Sequence, residues 1–86
     1  MAEIWKYRVE PATPTLMKKG AAILSAGLQG ATIMVWAEVD PEAETVDRLI
    51  DVYGTGHQLP DDPGEFIDTV IDPPFVWHLY DRGEAE

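Results

Sequence analysis

The chain has 86 residues, no cysteine, and 16 acidic against 6 basic side chains, a formal net charge of −10. That length admits one domain, because half of it could not bury a self-sufficient core, and the missing cysteine excludes disulfide staples, thiolate metal centres and thiol nucleophiles. A hydrophobic fraction of 45% with three tryptophans belongs to a folded chain, not to an acidic disordered tail.

Alternation dominates the hydrophobic pattern, and helical periodicity is weak throughout. In residues 4–10, Trp5, Tyr7 and Val9 alternate with Lys6, Arg8 and Glu10, as in a strand with one buried face. Pro11 and Pro14 interrupt it, and residues 15–17 form a short second strand before a Lys18-Lys19-Gly20 turn. Residues 20–37 carry no charge and reach the minimum length of a membrane span, but Gln29-Gly30 falls in the middle as a turn signal. Two strands, 21–28 and 31–39, explain the stretch better than one helix. Asp40-Pro41 ends that hairpin. Residues 46–53 alternate again with mixed faces, which leaves the orientation of that strand open. Three glycines and two prolines make 54–64 a loop, and residues 65–71 and 75–80 form a last strand pair around Asp72-Pro73-Pro74. The expectation is an all-β fold: a single small antiparallel sandwich, roll or partly open barrel of six or seven short strands over residues 1–81, with 82–86 as a frayed acidic tail.

Charge is unevenly placed. Residues 1–37 hold four bases against two acids, whereas 38–86 hold two bases, Arg48 and Arg82, against fourteen acids, a net of −12. Such a field repels phosphate backbones and anionic lipids, which argues against direct nucleic-acid or membrane binding. It attracts a basic protein surface, and Asp61, Asp62, Glu65 and Asp68 are the acids expected to meet one. The plainer reading is that the acids keep a small domain soluble.

Gly54-Thr55-Gly56-His57 is the most site-like segment. Successive small residues let backbone N–H groups converge on an anion, with His57 as a further donor and Trp36 or Trp77 stacking on an attached ring. No helix follows, so neither phosphate-binding fingerprint is met, and the alternative is a tight turn covered by His57. Three tryptophans in alternating strands are also what the core of so small a chain needs. His57, Asp61, Asp62 and Glu65 lack the spacing of a calcium loop or a zinc helix, so no metal and no cofactor is expected. Ser25 is the only serine and does not sit in a nucleophile elbow; a triad would need a hydroxyl brought to His57 or His78 by tertiary structure alone. No enzyme is expected.

Five blocks carry a resemblance: Ile4-Trp5-Lys6-Tyr7, the run from Met17 to Ser25, Trp36-Ala37-Glu38-Val39-Asp40-Pro41, Tyr53-Gly54-Thr55-Gly56-His57 with Leu59-Pro60, and the run from Phe75 to Tyr80. In this order, over nearly the whole chain, they resemble an uncharacterised group of small bacteriophage proteins. The resemblance implies a phage origin and an accessory role in the cytoplasm of the infected bacterium. The expected function is non-catalytic: binding, as an acidic mimic, to a basic surface on a host defence or nucleic-acid-handling protein, and inhibiting or modulating it. The alternatives are sequestration of a small phosphorylated or nucleotide ligand through Gly54 to His57, with oligomer interfaces completing the pocket in a homo-oligomer, and a minor virion or assembly component.

Overall fold

The computed structural model describes residues 1–85 and contains seven strands and no helix: β1 Glu3–Arg8, β2 Thr15–Lys18, β3 Ala22–Gln29, β4 Thr32–Val39, β5 Thr45–Gly54, β6 Glu65–Asp72 and β7 Phe75–Glu84. They form two antiparallel sheets, one of order β1-β4-β3 and one of order β2-β5-β7-β6. The shortest dimension of the molecule is 17 Å, as expected for two sheet layers packed about 10 Å apart with side chains outside them. Of the three expected architectures the chain adopts the sandwich.

The uncharged stretch folds back on itself as the β3–β4 hairpin. Gln29 pairs with Thr32 across a two-residue turn whose first central residue, Gly30, has φ +62, the conformation that suits a II′ hairpin turn. No helix among the described residues is long and apolar enough to cross a membrane.

Strand alternation sorts the side chains. Val35, Ala37 and Val39 of β4 face Met17 of β2, Ile50 of β5, Val70 of β6 and Leu79 of β7 in one buried cluster. Trp5, Tyr7 and Trp77 pack against it from its margin. Trp36 does not, because Val35 and Ala37 are fully buried and the intervening side chain must leave the opposite face.

The mixed faces of β5 have a specific explanation. Arg48 sits on the inward side, with Asp81 of β7 for a partner. Its Nε donates to Asp81 Oδ1 at 3.0 Å and its Nη2 to Oδ2 at 2.7 Å, and each side chain is only 12% exposed. Nη1 donates at 2.9 Å to the carbonyl of Ala21, at the entrance to β3, so the guanidinium ties one sheet to the other. Gly83 N–H completes the set on Asp81 Oδ1 at 2.8 Å. Burial pushes the Asp81 carboxyl upward, but the hydrogen bonds from Arg48 and Gly83 outweigh it and hold the group below its usual value. The bond to Asp81, opposed by burial, raises Arg48.

This pair also corrects the expected tail. Residues 82–84 are not frayed: they complete β7, where Arg48 pairs with Glu84 and Leu49 with Gly83, and Ala85 N–H donates to Asp47 O at 2.9 Å. The acidic character of the segment concealed a strand whose neighbours are Arg48 and β5. Glu86, the last residue of the expected tail, lies outside the described residues.

Asp81→Leu strands a buried guanidinium and should cost about 3–5 kcal/mol in urea unfolding, whereas Arg48→Met combined with Asp81→Leu should recover most of that loss. Because the folded carboxyl titrates below its unfolded value of about 3.9, its contribution is present above that pH and disappears as the pH falls through the lower folded value; the melting temperature should therefore drop more steeply below about pH 4 in the wild type than in Asp81→Asn. Thr15 Oγ1 is buried without a hydrogen-bond partner among the described residues, so Thr15→Val should raise stability by about 1 kcal/mol.

Candidate functional site

Gly54 closes β5 opposite Trp77, and Thr55 N–H carries the ladder one step further to Val76 O at 3.1 Å. The chain then reverses. His57 N–H donates to Gly54 O at 3.0 Å, and Gly56, at the second central position, has φ +91, the requirement of a type II turn that glycine meets without strain. Gly54 N–H donates to His57 Nδ1 at 3.1 Å, so the imidazole folds back over its own turn and, when neutral, keeps its proton on Nε2. The ring has room because residue 54 lacks a side chain: a Cβ there would stand 2.9 Å from His57 Cε1.

Three of the four backbone N–H groups of this segment are thereby committed within the fold. The geometry is that of a hydrogen-bonded turn, and the convergence of donors that a phosphate would need does not form. What the turn does is divide two shallow hollows. The first, of about 160 Å3, opens on the outer face of the four-stranded sheet between Tyr53, Thr55, His57, Leu59, His78 and Tyr80. The second, of about 300 Å3, opens between the turn and the β6–β7 connection and is lined by Gly54, Thr55, His57, Pro74, Phe75, Val76 and Trp77.

Of the residues expected at a ligand site, Gly54, Thr55, His57 and Trp77 thus come together, and Gly56 lines only the outer hollow. Trp36 does not join them. It lies on the outer face of the other sheet, with its Cζ3 3.6 Å from where a Cβ on Gly27 would be. Phe75, stacked on Trp77 with centroids 5.3 Å apart and planes at 23°, takes the place expected for it.

His78 points to the face opposite Trp77, as alternation requires. Its Nε2 is 2.8 Å from Thr55 Oγ1 and its Nδ1 3.0 Å from Thr69 Oγ1. Tertiary structure therefore does bring a threonine hydroxyl to His78, but the second ring nitrogen meets another hydroxyl and not the carboxylate that orients the base in a hydrolytic triad. The chain of three groups holds the turn to β7 and to β6. Beside it, Tyr53, Tyr80 and Phe66 form an edge-to-face row, with centroid separations of 5.9 and 5.5 Å. The Tyr53 phenol is pushed above its usual value by burial first and then by the Asp51 carboxylate that accepts its hydrogen bond at 3.3 Å. Asp51 is in turn paired with Arg82 at 2.7 Å.

The four acids expected to meet a partner separate into two groups. Asp61, Asp62 and Glu65 are exposed and take part in no ion pair among the described residues. Asp68 is not available in the same way. Its Oδ2 accepts Ala26 N–H from the edge of β3 at 3.1 Å and its Oδ1 accepts Thr69 N–H at 2.8 Å, so it fastens β6 to the opposite sheet. Its alternation with Val70 on the inner face was the sequence signal for this role.

Fold and site define a small two-sheet β-sandwich whose aromatic and imidazole groups collect around one turn. The chain belongs to the family described as a domain of unknown function, DUF7352, which it matches over residues 1–86. No curated protein and no solved structure matches it.

Gly54→Ala should displace the His57 ring and break the Gly54 N–H to Nδ1 bond. The expected readout is a changed His57 imidazole resonance and faster exchange of the residue 54 amide, with the other β5–β7 amides unaffected.

Proposed function

We propose that the protein is a non-catalytic binding domain, made during phage infection, that occupies a basic surface on a host protein in the bacterial cytoplasm and modulates that protein's activity. The observation that carries this reading is the outer face of the four-stranded sheet. Phe66, 53% exposed, stands there with Tyr80 and Tyr53; the exposed Glu65 precedes it at the sheet edge, turned to the other face, with Asp61 and Asp62 in the loop just before. Aromatic side chains supply most of the affinity of small interfaces, while uncompensated charge steers the encounter and selects the sign of the partner. The resemblance of the motif blocks to small bacteriophage proteins supports the setting, and the net charge of −10 supports mimicry of a polyanion.

The test is capture from bacterial lysate by the tagged chain, followed by association kinetics with the purified protein that it retains. Changing Asp61 and Asp62 to Asn and Glu65 to Gln should slow association several-fold at low salt and flatten its salt dependence. Phe66→Ala should instead accelerate dissociation, at a cost of about 2 kcal/mol. Retention of no protein at either low or high salt, or retention that neither variant alters, counts against the reading.

A further inference from the structure

The hollow between the turn and the β6–β7 connection has a different chemistry from the acidic rim. Its floor is the stacked pair of Phe75 and Trp77, and Phe75 is 55% exposed. Trp77 Nε1–H donates to Asp72 Oδ2 at 3.4 Å. Among the described residues no Asp, Glu, Lys or Arg lines the hollow. One polar side chain is available at its margin: the imidazole of His57, whose neutral form holds its proton on Nε2; the Thr55 hydroxyl is turned to His78 on the opposite face.

Three physical facts select the occupant. A planar aromatic floor favours a flat π system, since stacking on an aromatic side chain is available to any heteroaromatic ring. An anion is disfavoured, because three turn amides are already bonded, no lining residue is cationic and residues 38–86 carry a net charge of −12. The volume of about 300 Å3 stands at the lower end of small-molecule sites, which run from roughly 300 to 1,000 Å3; the outer hollow, at about 160 Å3, falls below it. We propose that this hollow binds an uncharged nucleoside, its base stacked on Phe75 and its edge hydrogen-bonded by His57. This goes beyond the protein-binding reading and does not rest on it. It also separates the two parts of a nucleotide: the ring is recognised and the phosphate is repelled.

The test is titration of the whole chain with adenosine, guanosine, cytidine and uridine, and with their 5′-monophosphates, followed by amide and indole N–H shifts. At least one nucleoside should give saturable shifts confined to Thr55, His57, Phe75, Val76 and the Trp77 indole. Its monophosphate should bind several-fold more weakly at low salt, with the gap closing as salt screens the acidic field. Phe75→Ala should weaken binding roughly ten- to a hundredfold, the loss of one stacked ring, whereas Phe75→Tyr and Trp36→Phe should retain it. Phe75→Leu, which keeps apolar area without the π face, replaces the alanine variant where that variant fails to fold. Saturation by none of the nucleosides, tighter binding of a monophosphate, or binding of N-acetyltryptophanamide in their stead overturns the proposal, the last by making the occupant an aromatic side chain. None of these outcomes bears on the kinetics of the Phe66 and acid variants.

Discussion

The buried ion pair between Arg48 and Asp81 is the constraint on which the rest of the molecule depends. A sandwich of this size has little core and no disulfide to hold its sheets together. Arg48 takes that part by reaching both ways: a fork of two bonds to Asp81 across β5 and β7, and a third to Ala21 at the start of β3. Removing either partner leaves a charge in a site with almost no solvent, which is why the pair is costly to break even if an apolar replacement of both would be tolerated. Asp68 makes a second polar clasp along the same side of the sandwich, accepting the Ala26 N–H that an edge strand would otherwise leave unpaired. The two sheets are thus joined by hydrogen-bonded carboxylates and a guanidinium as well as by the apolar cluster between them.

With the sheets held in this way, β5 and β7 run in a fixed register to their far end, where Gly54 faces Trp77. The position of every group around the turn is a consequence of that register. Thr55 bonds to Val76 in the ladder, so its hydroxyl lies against His78; residue 54 is glycine, so His57 folds over it. The turn uses its own backbone donors to stay closed. What surrounds it is rings, with His57 held by the Gly54 amide and His78 by two threonine hydroxyls, not an anion cradle.

Charge and aromatic surface are distributed over separate parts of the domain. The loop acids Asp61 and Asp62 precede β6, whose Phe66 meets Tyr80 edge to face on the outer side, while Glu65 turns to the other face with Asp81. Phe75 and Trp77 form an uncharged recess on the far side of the turn, suited to a small flat molecule. Arg82, one of only two bases in the acidic half, is used internally on Asp51, and Arg48 on Asp81, so neither lessens the field of the loop acids by pairing with them.

Much of the fold was legible in the sequence, because period-2 alternation and the Pro and Gly punctuation are local signals: all seven strands and the β3–β4 turn follow from them. The negative field of residues 38–86 is likewise a property of composition. Where local pattern and tertiary role diverge, the sequence misleads. Arg82-Gly83-Glu84 reads as a solvated tail, yet pairs with β5; Asp68 reads as a free acid, yet fastens two sheets; Trp36 reads as a stacking residue beside the glycine turn, yet belongs to the other sheet. Each of these depends on which strands are neighbours and in what register, and alternation assigns a residue to a face without saying what lies across from it. Only the tertiary structure could pair Arg48 with Asp81, Thr55 with His78 and Ala26 with Asp68, because those contacts join segments whose proximity no local spacing encodes.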